Sequence, residues 1–155
     1  MATRDEGHGH PRSTAKIGGH PIHPMLVPFP IVCFILAFVC DILVAQGRTE
    51  LVTASEWLLG IGLVMGALAA VAGLLDFLGE KRIQGGDAVQ HMLANVTVVV
   101  LEVVNLVLRI GNSDFIASTG VYISLVVVLI LVYSGWKGGD LVYKHGMGVH
   151  DRSNP

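Results

Sequence analysis

Charged residues are scarce in this chain of 155 residues. They make up 14% of the sequence and aromatic residues 6%, whereas hydrophobic residues reach 52%. In an ordinary soluble domain about a quarter of the residues are charged. The few basic residues form no stripe away from the apolar segments, so nucleic acid is not the expected partner. The composition argues against a soluble domain and favours a membrane protein.

Cysteine is nearly absent as well. Cys33 and Cys40 are the two cysteines, and seven residues of helix would separate them by about 10 Å, which is too far for a disulfide. Neither belongs to a CxxC or CxxCH motif, so the usual covalent attachment of c-type haem is excluded. The first 15 residues also lack an apolar core, so we expect no cleavable signal peptide and a first span that anchors the chain.

Four apolar runs approach or exceed the length of about 20 residues that crosses a bilayer as a helix. The predicted fold is an all-α membrane protein with four transmembrane helices in an up-down bundle. We place a flexible polar arm at 1–17, the four-helix domain at 18–150 and a tail at 151–155. The predicted spans lie at about 26–45, 57–79, 91–110 and 121–143.

The distribution of basic residues predicts the orientation of the bundle. Eight of them flank the side that the two termini and the second loop share, whereas Arg48 and Arg109 flank the opposite side. Because cytoplasmic segments carry the excess of Lys and Arg, we expect a multi-pass protein of the inner (plasma) membrane with both termini cytoplasmic. The eight are Arg4, Arg12, Lys16, Lys81, Arg82, Lys137, Lys144 and Arg152.

A row of polar residues marks the third predicted span. At about 100° per residue, its members fall within about 40° of one line along a helix. An ionised group near the bilayer centre costs about 2.5 kcal/mol or more, so we expect this seam to face the other spans. The seam consists of His91, Asn95, Glu102, Asn105 and Arg109, with Val98 in the gap.

The last three seam residues have two interpretations. Glu102, Asn105 and Arg109 are predicted to form a polar path from a site at the cytoplasmic face toward the outer face. Alternatively, Glu102 and Arg109 form a buried polar pair that closes the bundle.

Proline marks the beginning of the first span, in GGHPIHPMLVPFP at 18–30. Four prolines there disfavour helical geometry for the residues that precede them, so we expect regular helix only from about Pro30. Non-helical backbone at membrane depth is tolerated only where protein or a wet cavity covers it. The segment is therefore predicted to fold against the bundle and to bring His20 and His23 with it.

Histidines collect on one side of this topology. Four spans bring His20, His23, His91 and His145 to the predicted cytoplasmic face. We interpret these four as a cofactor-binding set; the alternative is that their amphipathic rings lie at the membrane interface. Two facing imidazoles suit haem iron, whereas three converging ones, His23, His91 and His145, suit a first-row transition metal.

The groups predicted to surround the cofactor are polar residues near the same face. Asp76, Asn95, Asp140 and Lys137 are the candidates for hydrogen bonds to the ligating histidines. Haem b is favoured because the bundle offers a slot between helices and because nearby cations could meet its propionates. These cations are Lys81, Arg82, Lys137 and Lys144.

Three functions remain open from the sequence. The favoured one is a b-type cytochrome-like electron carrier rather than a stand-alone enzyme, with redox proteins as partners. The second is binding or transport of a transition-metal ion through the same histidines. The third is a structural subunit of a membrane complex, or an oligomer, that packs through the small residues Gly62, Gly66 and Ala70 of the second span.

Four motifs are distinctive: GHPIHPMLVPFP at 19–30, GLLDF at 73–77, His91 with Asn95, and GGDLVYKHGMGV at 138–149. Together they resemble one family of small four-span bacterial membrane proteins, domain of unknown function 2231 (DUF2231). The resemblance covers nearly all of the chain beyond the N-terminal arm. It implies a four-helix membrane domain, in a family whose members are found joined to Rieske-type or cytochrome c modules. It also makes His23, His91 and His145, with His20 beside them, the first positions to suspect.

Overall fold

Four apolar helical segments form the protein in a computed structural model that describes residues 10–149. The predicted fold class and the number of spans are confirmed. Each segment is long and apolar enough to cross a membrane, and each begins earlier than predicted. The segments are Ile22–Ala45, Thr49–Gly79, Gly86–Arg109 and Ser113–Tyr143. The predicted tail at 151–155, together with His8 and His150, lies outside the described residues.

The helices are numbered in chain order. The first span contains a short helix and a long one, α1 and α2, and the last begins with the short helix α5 and a π-helical turn at Ile116–Gly120 before α6. A two-stranded antiparallel hairpin precedes the first span. The bounds are β1 Lys16–Ile17, β2 His20–Pro21, α1 Ile22–Leu26, α2 Pro28–Ala45, α3 Val52–Gly79, α4 Gly86–Arg109, α5 Ser113–Phe115 and α6 Val121–Tyr143.

Two helix pairs build the bundle. Helix α2 packs mainly on α3, and α4 packs mainly on α6, while α2–α6 and α3–α4 contacts join the pairs. The centre of the bundle is an apolar layer to which all four long helices contribute. It consists of the buried residues Phe34, Ala37, Leu59, Val98 and Val127.

Glycine lets α2 and α3 approach closely. A Cβ atom on Gly62 would lie 2.6 Å from Cε1 of Phe34, and one on Gly66 would lie 3.7 Å from Cβ of Pro30. Both glycines are buried inside the chain, Ala70 is exposed, and Ala69 takes the buried position instead. Gly62 and Gly66 of the predicted small-residue face therefore pack α3 against the chain's own α2 and α4.

The proline-rich segment is more helical than predicted. His23 lies in α1, Phe29 lies in α2, and Val27 between the two helices has helical dihedral angles (φ −54°, ψ −36°). The expectation of regular helix only from Pro30 is thus wrong. Pro24 and Pro28 fall in the first turns of α1 and α2, where the backbone N–H has no intrahelical acceptor and a proline costs little.

The N-terminal residues lie against the bundle. The carboxylate of Asp76, near the end of α3, accepts hydrogen bonds from Ser13 Oγ (2.9 Å), Thr14 N (2.7 Å) and Ala15 N (2.8 Å). The amide of Gly148 donates to the carbonyl of Pro11 (2.9 Å). The described part of the predicted arm is therefore attached to the bundle, and both ends of the described chain meet at one end of it.

The bundle has two ends, which we call the histidine end and the arginine end. The histidine end contains residues 10–27, 76–95 and 134–149, and the arginine end contains residues 41–56 and 102–124.

Candidate functional site

Two of the four predicted histidines face each other near the histidine end. His23 comes from α1 and His91 from α4, and both are half-buried. Their ring centroids are 6.1 Å apart and their planes are nearly perpendicular, at 89°. The structure thus assembles a pair of imidazoles from two different segments of the chain.

Backbone carbonyls fix the protonation pattern of both rings. His23 Nδ1 lies 2.7 Å from the carbonyl oxygen of Ala69 in α3, and His91 Nδ1 lies 2.9 Å from that of Ser134 in α6. Because a carbonyl oxygen only accepts, each Nδ1 carries the proton and each Nε2 keeps its lone pair. A ring N–H that donates to a carbonyl is the usual arrangement behind an imidazole that ligates a metal.

Glycine provides the space in which each ring lies. A Cβ atom on Gly73 would be 2.9 Å from His23 Nδ1, and one on Gly138 would be 3.0 Å from His91 Cε1. Gly73→Ala would therefore force the His23 ring to move, and Gly138→Ala would require the His91 ring to shift by a few tenths of an ångström. Gly73 begins GLLDF and Gly138 begins GGDLVY, but the sequence did not indicate that either glycine leaves space for a histidine ring.

Only one of the predicted surrounding groups lies beside the pair. Asn95, one turn after His91, donates from Nδ2 to the His91 carbonyl (2.8 Å), and the same nitrogen is 3.2 Å from His91 Nε2. Asp76 instead binds the N-terminal segment. Lys137 pairs with Asp87 (2.8 Å), and Asp140 pairs with Lys144 (2.9 Å).

The other two predicted ligands are elsewhere. His20 is exposed in β2, and the exposed His145 places Nε2 3.0 Å from Oδ2 of Asp87. Within residues 10–149, no group of three or more His, Cys, Asp or Glu side chains is placed to hold a metal ion. The predicted three-histidine metal set of His23, His91 and His145 is therefore not formed.

The cations predicted to meet haem propionates mostly contact carboxylates. Lys144 pairs with Asp140 (2.9 Å) and Arg82 with Glu80 (2.8 Å). The hydrogen bonds from Arg82 lower the pKa of Glu80 to about 2, so this pair stays ionised at neutral pH. Near them lies a cavity of about 200 Å³, lined in part by Arg82, Asp87 and His145.

A second polar group is buried at the arginine end. Arg109 of α4 donates from Nη1 and Nη2 to the two carboxylate oxygens of Asp41 in α2, both at 2.9 Å. Every long helix contributes to this group, and each member is 0% exposed. We call it the arginine cluster; it consists of Asp41, Ser55, Glu102, Asn105, Arg109 and Ser124.

The arginine cluster corrects the predicted pairing of Glu102 with Arg109. Arg109 pairs with Asp41, whereas Glu102 accepts a hydrogen bond from Asn105 Nδ2 (2.9 Å), so the expected Glu102–Arg109 pair is not formed. The predicted inward direction of the seam is confirmed, because Val98, Glu102, Asn105 and Arg109 are all buried. The sequence did not indicate that Asp41, the acidic residue of the first span, pairs with Arg109.

An apolar layer lies between the two polar sites. Val98 occupies the seam between Asn95 and Glu102, is 2% exposed and belongs to the buried core with Phe34 and Leu59. The polar seam is therefore interrupted at the centre of the bundle. The histidine pair and the arginine cluster are two separate sites, and α4 contributes to both through His91 and Arg109.

Comparison with known proteins gives one match. The profile of a family described as predicted membrane protein (DUF2231) matches residues 19–151, which include the histidine pair and the arginine cluster. Neither a curated protein nor a solved structure matches the chain.

Proposed function

The chain belongs to the DUF2231 family of predicted membrane proteins, and we propose that this member binds haem b between His23 and His91 and transfers electrons in the membrane. The observation that carries the proposal is the facing pair of imidazoles. Both Nδ1 atoms donate to carbonyls, so each Nε2 keeps its lone pair. That of His91 lies 3.2 Å from Asn95 Nδ2, a contact that a metal would replace.

The number of ligands favours haem over a bare metal ion. A protein site for a first-row ion usually takes three or four side-chain ligands, whereas haem iron has four ligands of its own and needs only axial ones. His23 and His91, whose ring centroids are 6.1 Å apart, are the two residues that would hold the group.

The surroundings of the pair support the same proposal. The carbonyls of Ala69 and Ser134 hold each imidazole in the Nδ1–H tautomer, and Gly73 and Gly138 give each ring its space. When bound, haem would supply a one-electron couple. His23 and His91 would bind the iron, and the chain would supply their orientation and a half-buried setting. Propionates would compete with Glu80, Asp87 and Asp140 for nearby cations.

We infer that the histidine end faces the cytoplasm and that the protein lies in the inner membrane. Arg109 is fully buried and neutralised by Asp41, so it no longer counts as a flanking charge at the opposite end. Arg48 then remains as the described basic residue there, and the histidine end has the excess that cytoplasmic segments carry. The described basic residues at the histidine end are Arg12, Lys16, Lys81, Arg82, Lys137 and Lys144.

The test is an absorption spectrum of the detergent-purified protein, oxidised and dithionite-reduced, with metal analysis of the same sample. After haem-replete expression we expect a Soret band and sharp reduced α and β bands, and their loss in His23→Ala and in His91→Ala. His20→Ala is the matched control, because this histidine is close in sequence but exposed; His145→Ala is a second control. Both should keep the spectrum.

Other outcomes would contradict the proposal in distinguishable ways. A colourless protein with stoichiometric metal and no porphyrin would favour metal binding or transport. A colourless, metal-free protein would favour a structural subunit. Loss of the bands in His145→Ala and not in His91→Ala would mean that the wrong histidines had been paired.

A further inference from the structure

We propose that Glu102 is a proton-binding site within the membrane, which holds an exchangeable proton on Oε1 in the resting protein. The proposal rests on the arginine cluster and is independent of haem binding. Glu102 lies in α4 seven residues before Arg109, so it is about 10 Å inside the arginine end of the helix. Its side chain is 0% exposed.

The charges of the cluster balance without Glu102. Arg109 is its single cation, and both terminal nitrogens of the guanidinium bind the carboxylate of Asp41. The charged side chains that surround Glu102 are thus Asp41 from α2 and Arg109 from α4, whereas α3 and α6 contribute the neutral Ser55 and Ser124. An ionised Glu102 would leave one uncompensated negative charge in a low-dielectric interior, which costs several kcal/mol.

Asp41 also accepts more hydrogen bonds than Glu102 does. Asp41 accepts four: two from Arg109, one from Ser55 Oγ and one from Ser124 Oγ. Glu102 accepts one, at Oε2 from Asn105 Nδ2. A buried carboxylate ordinarily has several donors, so Asp41 has the environment of an anion and Glu102 that of a neutral acid.

The orientation of Asn105 shows which oxygen holds the proton. Its Oδ1 accepts from Arg109 Nη2 (2.7 Å), so its Nδ2 must face Glu102. Glu102 Oε2 is therefore engaged as an acceptor, whereas Oε1 is buried without a hydrogen-bond partner among the described residues. Oε1 is the position at which a proton is added and from which it leaves.

Infrared spectroscopy of the full chain in lipid nanodiscs tests this assignment. The protein is made by cell-free synthesis with glutamate that carries ¹³C at the side-chain carboxyl. At neutral pH we expect the stretching band of a protonated carboxylic acid, shifted to lower frequency by the label and again by D₂O. Glu102→Gln should lose the band, and Glu50→Gln should retain it because Glu50 is exposed and paired with Arg48.

Each outcome decides the question. Absence of a label-sensitive acid band at neutral pH would show that Glu102 is ionised and would overturn the proposal. A band that does not shift in D₂O would show that the proton of the carboxylic acid does not exchange with solvent. That result would overturn the proposal of an exchangeable proton. Because the label reports on the wild-type protein, absence of the acid band overturns the proposal even if Glu102→Gln fails to fold. A missing Soret band has no bearing on it.

Discussion

Replacement of Asp41 by asparagine is the sharpest test of the arginine cluster. The substitution keeps the shape of the side chain and removes its charge. Asp41 and Arg109 are both 0% exposed and are joined by two hydrogen bonds of 2.9 Å. Breaking a buried ion pair from one side costs about 3–5 kcal/mol, because the remaining charge is left without compensation.

Glu102 determines where in that range the loss falls. In Asp41→Asn, Glu102 is the acid that remains in the cluster, and it can ionise and partly compensate the charge of Arg109. We therefore expect the free energy of unfolding to fall by about 3 kcal/mol. In Asp41→Asn/Glu102→Gln no acid of the cluster is left, and we expect a loss of about 5 kcal/mol. Glu102→Gln alone should lose less than about 1 kcal/mol, since a neutral amide replaces a neutral acid.

The assay is reversible unfolding in mixed micelles of increasing dodecyl sulfate content, followed by far-UV circular dichroism. Asp114→Asn is the matched control, because Asp114 lies at the same end of the bundle and is exposed. If Asp41→Asn costs no more than Asp114→Asn, the ion pair does not stabilise the bundle as the structure implies. If the double variant is no less stable than Asp41→Asn, Glu102 does not act as the reserve counter-ion.

Three further predictions follow from other contacts. Gly73→Ala should weaken haem retention at least tenfold because its Cβ would lie 2.9 Å from His23 Nδ1, whereas Gly139→Ala, with nothing within 4 Å, should not; equal retention in a haem titration would contradict the fit. Asp76→Asn should release residues 13–15 at a cost of about 1.5–3 kcal/mol, seen as faster proteolysis of the N-terminal segment; an unchanged cleavage rate would refute the attachment. In a variant without Cys33 and Cys40, a membrane-impermeant maleimide on whole cells should label cysteine placed at Gly47 but not at Gln84; the reverse pattern would invert the proposed orientation.

The sequence was sufficient for the architecture because hydropathy and helical periodicity are local properties. Four apolar runs predicted four spans, and the spacing of Val98, Glu102, Asn105 and Arg109 predicted the buried face of α4. Helix boundaries were less accurate. In α4 the first turn contains Asp87, which is polar but favourable at a helix N-terminus, so hydropathy placed the start of the span too late.

Partner choice was beyond the sequence because it depends on distances between segments far apart in the chain. Asp41 and Arg109 are 68 positions apart, and sequence spacing favoured the nearer Glu102. Likewise, the sequence could not show which of the four histidines on one side are buried together. In the structure, His23 contacts the carbonyl of Ala69, His91 contacts that of Ser134, and His20 is exposed. The sequence determined which side of the bundle carries the histidines. Tertiary packing decided which two imidazoles meet, because only packing brings α3 against the His23 ring of α1 and α6 against the His91 ring of α4.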